Sequence, residues 1–149
     1  MINDESLELI QTYEGLRLSP YVCSGNYWTY GYGAIYAANG ERVKMDTPAI
    51  TEEHATELLR RDVNIAYRSV ERLTAPYAED LTDNQMGALT SLCFNIGSGN
   101  FRASTVRSLI RRGEIEQAGK NFWQWRRANS RIIPGLVRRR ARETQLYFS

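Results

Sequence analysis

Residues 13–33 read YEGLRLSPYVCSGNYWTYGYG, and the hydrophobic pattern changes its period inside this stretch. Before it, Leu7, Ile10 and Tyr13 recur at helical spacing beside the acids Asp4, Glu5 and Glu8, which predicts a short amphipathic helix over 4–14. Gly15 follows at once and is a natural stop, because glycine accepts the left-handed conformation after a last helical turn. From Tyr21 to about Val43, aromatics alternate with glycine and small residues, as in YWTYGYGAIY, and Asn39-Gly40 is a strong hairpin signal. The reading is helix, then a small β-sheet, with Glu14 at the junction.

After the sheet the helical period returns. Thr51 is placed as an N-cap with Glu52 and Glu53 in the first turn, and Leu58, Leu59, Val63, Ala66, Val70 and Leu73 continue one helix. At some twenty residues it is long for a small domain and suits a spine between two lobes. Thr82 and Gln85 match a capping box and open a more apolar helix through Met86, Leu89, Leu92, Cys93 and Ile96, ended by Gly97 and Gly99. Helices are expected around 101–112 and 114–127, broken by Gly113, and Pro134 suits the first turn of a last helix over 134–147. The fold class is therefore α+β, with the strands confined to one early segment.

A chain of 149 residues fits one domain. Its lobes are expected at approximately 15–60, containing the sheet, and 61–149, helical, with helix 4–14 packing on the helical lobe. No apolar run approaches the roughly 20 residues that cross a bilayer. The start, MINDESLELI, carries acids where an export signal carries bases, so none is read. Two cysteines, Cys23 and Cys93, are too few for a disulfide scaffold; one bridge between them is open, with reduced thiols the expectation. The single histidine, His54, sits in a largely solvated helix, and no Cys/His cluster has metal-ligand spacing, so no metal or cofactor is expected. The net charge of +2 conceals −7 over residues 1–101 and +9 over 102–149. That asymmetry fits either an anionic partner for the C-terminal part or a set of solvated arginine-rich helix faces.

Glu14 is the residue through which this sequence can do acid chemistry. A helix C-terminus is the negative end of the backbone dipole and favours a protonated carboxyl over a carboxylate. A glycosidase acid must hold its proton near neutral pH to give it to a leaving oxygen. A frayed, solvated glutamate fits the same position. Cys93, inside an apolar helix pattern, reads as a buried small hydrophobe. Trp123 and Trp125, in KNFWQWRR, read as packing residues, and Gly31 and Gly33 as structural glycines that allow close strand approach and a tight bend.

Glu14, Cys23 and Thr29 follow the spacing Glu-x8-(Asp or Cys)-x5-Thr, set in EGLRL and TYGYG. In this the chain resembles the phage-type lysozymes, the endolysin muramidases. LTDNQMGALTSLCFNIG resembles that family's central helix, and STVRSLIRRGEIEQAGKNFWQWRRANSRIIPGLVRRRARETQLY its C-terminal part, so the likeness runs from about residue 7 to 147. It implies a lysozyme-like fold, a small N-terminal β-sheet lobe and a larger helical lobe joined by a long helix. It implies Glu14 as general acid and Thr29 as a group that holds the attacking water. Cys23 stands where many relatives have aspartate, and its role as a charge, a nucleophile, a water-positioning group or half of a disulfide stays open. Asn95, in FNIG, and Arg139 and Arg140, of the last helix, are implied as substrate-binding residues.

The implied reaction is hydrolysis of the β-1,4 bond between N-acetylmuramic acid and N-acetylglucosamine in peptidoglycan. The resemblance leans toward inversion at the anomeric carbon and implies a monomer that waits in the host cytoplasm, without stable membrane insertion. A lytic transglycosylase would need an acid like Glu14 but no water-holding Thr29. A non-catalytic peptidoglycan-binding module would need neither. A nucleic-acid surface is disfavoured by the near-neutral total charge and the lack of a reading motif.

Overall fold

Glycines and hydroxyl caps set where the elements begin and end. In the computed structural model, which describes residues Met1–Ser149, α1 (Asp4–Glu14) stops at Gly15, whose φ of +68° is the left-handed turn expected there. β1 (Arg17–Val22) and β2 (Trp28–Gly31) pair antiparallel, Tyr21 opposite Thr29 and Val22 opposite Trp28. The strand begins at Arg17 rather than Tyr21, and the Leu18 carbonyl is engaged by the Ile50 amide at 3.0 Å. Beyond β2 the ladder does not run on to Val43. It breaks into isolated bridges, Tyr30 with Ala34 and Tyr36 with Arg42, around turns at Gly31, Gly33 and Gly40.

Thr51 caps α2 (Glu52–Thr74), its hydroxyl accepting from the His54 amide at 3.1 Å. Thr82 and Gln85 form the expected capping box of α3 (Asp83–Ile96), and Gly97, at φ +89°, ends it. Gly99 does not end a helix; it lies in α4 (Ser98–Ala103). The helix expected over 101–112 is split at Ser104. There the hydroxyl accepts from the Arg107 amide and starts α5 (Thr105–Arg111).

The largest departure is at 114–127. α6 (Ile115–Gly119) is short, a 3₁₀ turn occupies Phe122–Trp125, and β3 (Arg127–Ala128) pairs with β4 (Arg131–Ile132). A methyl group at Gly119 would run into the Tyr147 ring, so the chain passes α7 (Pro134–Tyr147) at glycine distance. Phe122 is then buried edge-on against Tyr147, with ring centroids 5.5 Å apart. Asn129 and Ser130 both have positive φ, 51° and 65°, the two-residue turn that a tight hairpin requires.

The chain divides into two compact units, Gln11–Asp62 and Met1–Ile10 with Val63–Ser149. The first holds β1 and β2 and a small core of Tyr30, Ala34, Val43 and Leu58, onto which Trp28, Ala37 and Ile50 pack. The second is helical, with α7 packed on α3 and Leu89, Leu92, Phe101, Ile110 and Phe122 fully buried. Gly87 of α3 faces Ser6 of α1 so closely that a methyl there would overlap the serine side chain, a contact no sequence pattern announces.

Candidate active site

Glu14, Cys23 and Thr29 all fall in the β-containing unit, each fixed by a different local device. Glu14 is the last residue of α1 and half-buried. Its carboxyl reaches the turn after β2: a Cβ built on Gly33 would lie 3.9 Å from Glu14 Oε2. Gly33 has φ +94°, a conformation that costs a side-chain-bearing residue strain, so glycine both makes the turn and leaves the carboxyl its space.

Cys23 opens the loop between the strands. Its amide donates to the Tyr27 carbonyl at 2.9 Å and its carbonyl accepts from the Asn26 amide at 2.9 Å, closing a turn in which Asn26 takes φ +65°. The thiol is partly exposed and free. The Thr29 hydroxyl above all, then the backbone at Tyr27 and Gly25, holds it below its ordinary range, against a weaker upward push from burial. Cys93 is the opposite case: it is 2% exposed on α3, and burial pushes its thiol up to about 11 against the pull of Arg72. The Cys23 thiol gives up its proton more readily than an ordinary cysteine and the Cys93 thiol less readily.

Thr29 is 2% exposed on β2, and its hydroxyl donates to the Tyr27 carbonyl at 3.0 Å. A hydroxyl has one proton and two lone pairs. While that proton rests on Tyr27, the oxygen is an acceptor; when Cys23 ionises, the same proton can turn to the sulfur. The pair can therefore hold a water by its hydrogens and leave the water's lone pair directed away from both.

The other expected residues lie in the helical unit. Asn95 is exposed on the last turn of α3, in the wall of a cavity of about 390 Å³ shared with Asn100, Trp125, Arg127 and Leu136. Arg139 and Arg140, implied as substrate-binding residues, are buried, 3% and 2% exposed. Both meet Glu143, whose Oε1 receives Arg139 Nε at 3.2 Å, Arg140 Nη2 at 2.7 Å and the Ser91 hydroxyl at 2.7 Å. Burial pushes the Glu143 carboxyl up, with Arg140 and Arg139 pulling against it. Sequence reasoning does not single out Glu143, because a buried charge network gives no periodic signal. Trp123 does not pack as expected: it is 53% exposed, with the Arg126 guanidinium 4.6 Å above its ring. No group of three or more His, Cys, Asp or Glu side chains comes together.

The family model described as phage lysozyme matches residues 11–143. An endolysin of Acyrthosiphon pisum secondary endosymbiont phage 1 is 36% identical over 99% of this chain and 98% of its own length. An endolysin of Bacillus phage B103 is 32% identical over 99% of this chain, which spans only 54% of that longer protein. A crystal structure of a P22 lysozyme mutant superimposes with a TM-score of 0.86 at 31% identity, covering 100% of this chain and 99% of its own.

Proposed function

Since the chain belongs to the phage lysozyme family, we propose that it is an endolysin muramidase that hydrolyses the β-1,4 bond between N-acetylmuramic acid and N-acetylglucosamine in bacterial peptidoglycan. The observation that carries the reading is that an acid at a helix end and a thiol lowered by a neighbouring threonine lie in one unit of a chain of this family.

Glu14 gives its proton to the glycosidic oxygen as the C1–O bond breaks. A water held by Thr29 Oγ1 and the Cys23 sulfur supplies the oxygen that bonds to C1, and its proton passes to the Cys23 thiolate. Glu14 is left as carboxylate and Cys23 as thiol, and solvent restores both. Water on the far side of the sugar from the acid gives inversion, whereas attack by the sulfur itself would give retention. Asn95, exposed in a cavity wall of the helical unit, serves as a substrate-binding group, and Arg139 and Arg140, buried on Glu143, support the helical unit from within. No helix is long and apolar enough to cross a membrane. A monomer held in the host cytoplasm until release, with no nucleic-acid partner, completes the proposal.

The role of Cys23 has a pH signature. A thiol lowered from its ordinary range makes activity rise with pH through that lowered value, because the thiolate is the active form. In Cys23→Asp the rising limb moves to more acidic pH, since an ordinary aspartate ionises near 3.9, and cleavage is kept. Cys23→Ser loses the limb and about 100-fold in kcat. The kcat–pH profiles of the three proteins check this. A serine variant within about twofold of the native protein, with the same profile, would remove Cys23 from the mechanism. Release of new reducing muramic ends from purified peptidoglycan tests the function itself.

A further inference from the structure

Arg42 stands between two tyrosine rings of the β-containing unit. Its guanidinium carbon is 5.3 Å from the Tyr27 ring centroid and 5.4 Å from that of Tyr36, and a backbone bridge ties Tyr36 to Arg42. The rings are 50% and 43% exposed, so the sandwich meets solvent. Arg61 of the same unit shows the contrast: its guanidinium is engaged by Asp62 and by the Tyr36 and Ala37 carbonyls. Arg42 makes no ion pair and donates no side-chain hydrogen bond to the protein.

An exposed arginine ordinarily loses much rotamer freedom when it binds. Here the rings have already ordered it, and its planar fork of N–H donors is unspent. That fork matches a carboxylate with two parallel hydrogen bonds, which a lysine ammonium cannot do. The sandwich is also tied to the candidate site: a Cβ built on Gly25 would lie 3.3 Å from the Tyr27 ring and 3.8 Å from Cys23 Sγ. Arg42 also lines a cavity of about 640 Å³ that carries Glu41, Lys44, Asp46 and His54. The acids there balance the cations, so the oriented fork, not the net charge, selects the ligand.

Resting on the muramidase reading, we infer that Arg42, clamped by Tyr27 and Tyr36, is a specificity-determining residue that engages a carboxylate of the peptide borne by the glycan strand. The enzyme therefore favours strands that carry acidic peptides.

The test compares native peptidoglycan strands with strands whose carboxyl groups are methyl-esterified. On native strands Arg42→Gln lowers kcat/KM about tenfold, and Arg42→Lys lowers it by less, because it keeps the charge and loses the fork. On esterified strands the gap closes, because the native protein falls to the level of the variant. Added salt narrows the gap as well. If Arg42→Gln does not fold by circular dichroism, Arg42→Lys and the native protein's own loss on esterification carry the comparison. Equal losses on both strands, or no loss on native strands, overturn the inference and leave the muramidase reading standing. A native protein that cleaves neither strand removes that reading and this inference together.

Discussion

Glu14→Gln is expected to lose about 100- to 10,000-fold in kcat on peptidoglycan while keeping the native fold. The amide has the shape of the carboxyl group but no acid proton to give the leaving oxygen. Glu14 is half-buried at the end of α1, outside the buried core, and the amide has the size of the carboxyl group it replaces. The thermal midpoint should stay within about 3 °C of native, since conservative changes outside the core cost about 0.5 kcal/mol. Clearing of purified peptidoglycan beside a circular-dichroism melt reads both quantities. A variant that retains about a third of native activity would take the acid role away from Glu14.

Glu143→Ala is expected to cost about 3–5 kcal/mol of stability, because it removes the buried carboxylate that two buried guanidinium groups share. Glu143 has no exposed surface, and its Oε1 is the common acceptor for Arg139, Arg140 and the Ser91 hydroxyl, joining α7 to α3. Glu143→Gln should cost less, since the amide oxygen still accepts from Ser91 and one guanidinium. For a domain of this size the alanine variant should melt about 10 °C lower. A fall of only about 2 °C would show that the arginines find other anions or water, and that Glu143 does not hold the α3–α7 seam.

What the sequence showed plainly and what it hid differ in physical kind. Boundaries marked by backbone chemistry were legible: the left-handed stop at Gly15, the Thr51 cap, the Thr82–Gln85 box and Pro134 at the start of α7. Boundaries set by packing across the fold were not. Nothing local to Gly119 says that Tyr147 will press on it, and Asn129-Ser130 is a weak hairpin signal beside Asn39-Gly40. Around the candidate site, Glu14, Cys23 and Thr29 were singled out through the family resemblance that their spacing carries, and all three lie in one unit. The partners that tune them could not be read. The influence of Thr29 on the Cys23 thiol depends on the course of the loop, and the Tyr27–Arg42–Tyr36 cluster joins residues that sequence pattern leaves separate. That Arg139 and Arg140 turn inward to Glu143 is a three-dimensional fact with no signal in the sequence.

The mass of the fragments released from purified peptidoglycan tests the central claim most directly. A water-holding Thr29 and an acid at Glu14 require hydrolysis, so every new muramic end should be a reducing sugar with the full mass of one added water. Fragments one water lighter, ending in an anhydro sugar, would show cleavage without water and contradict the account, as would intact glycan strands after exposure to the folded, reduced protein.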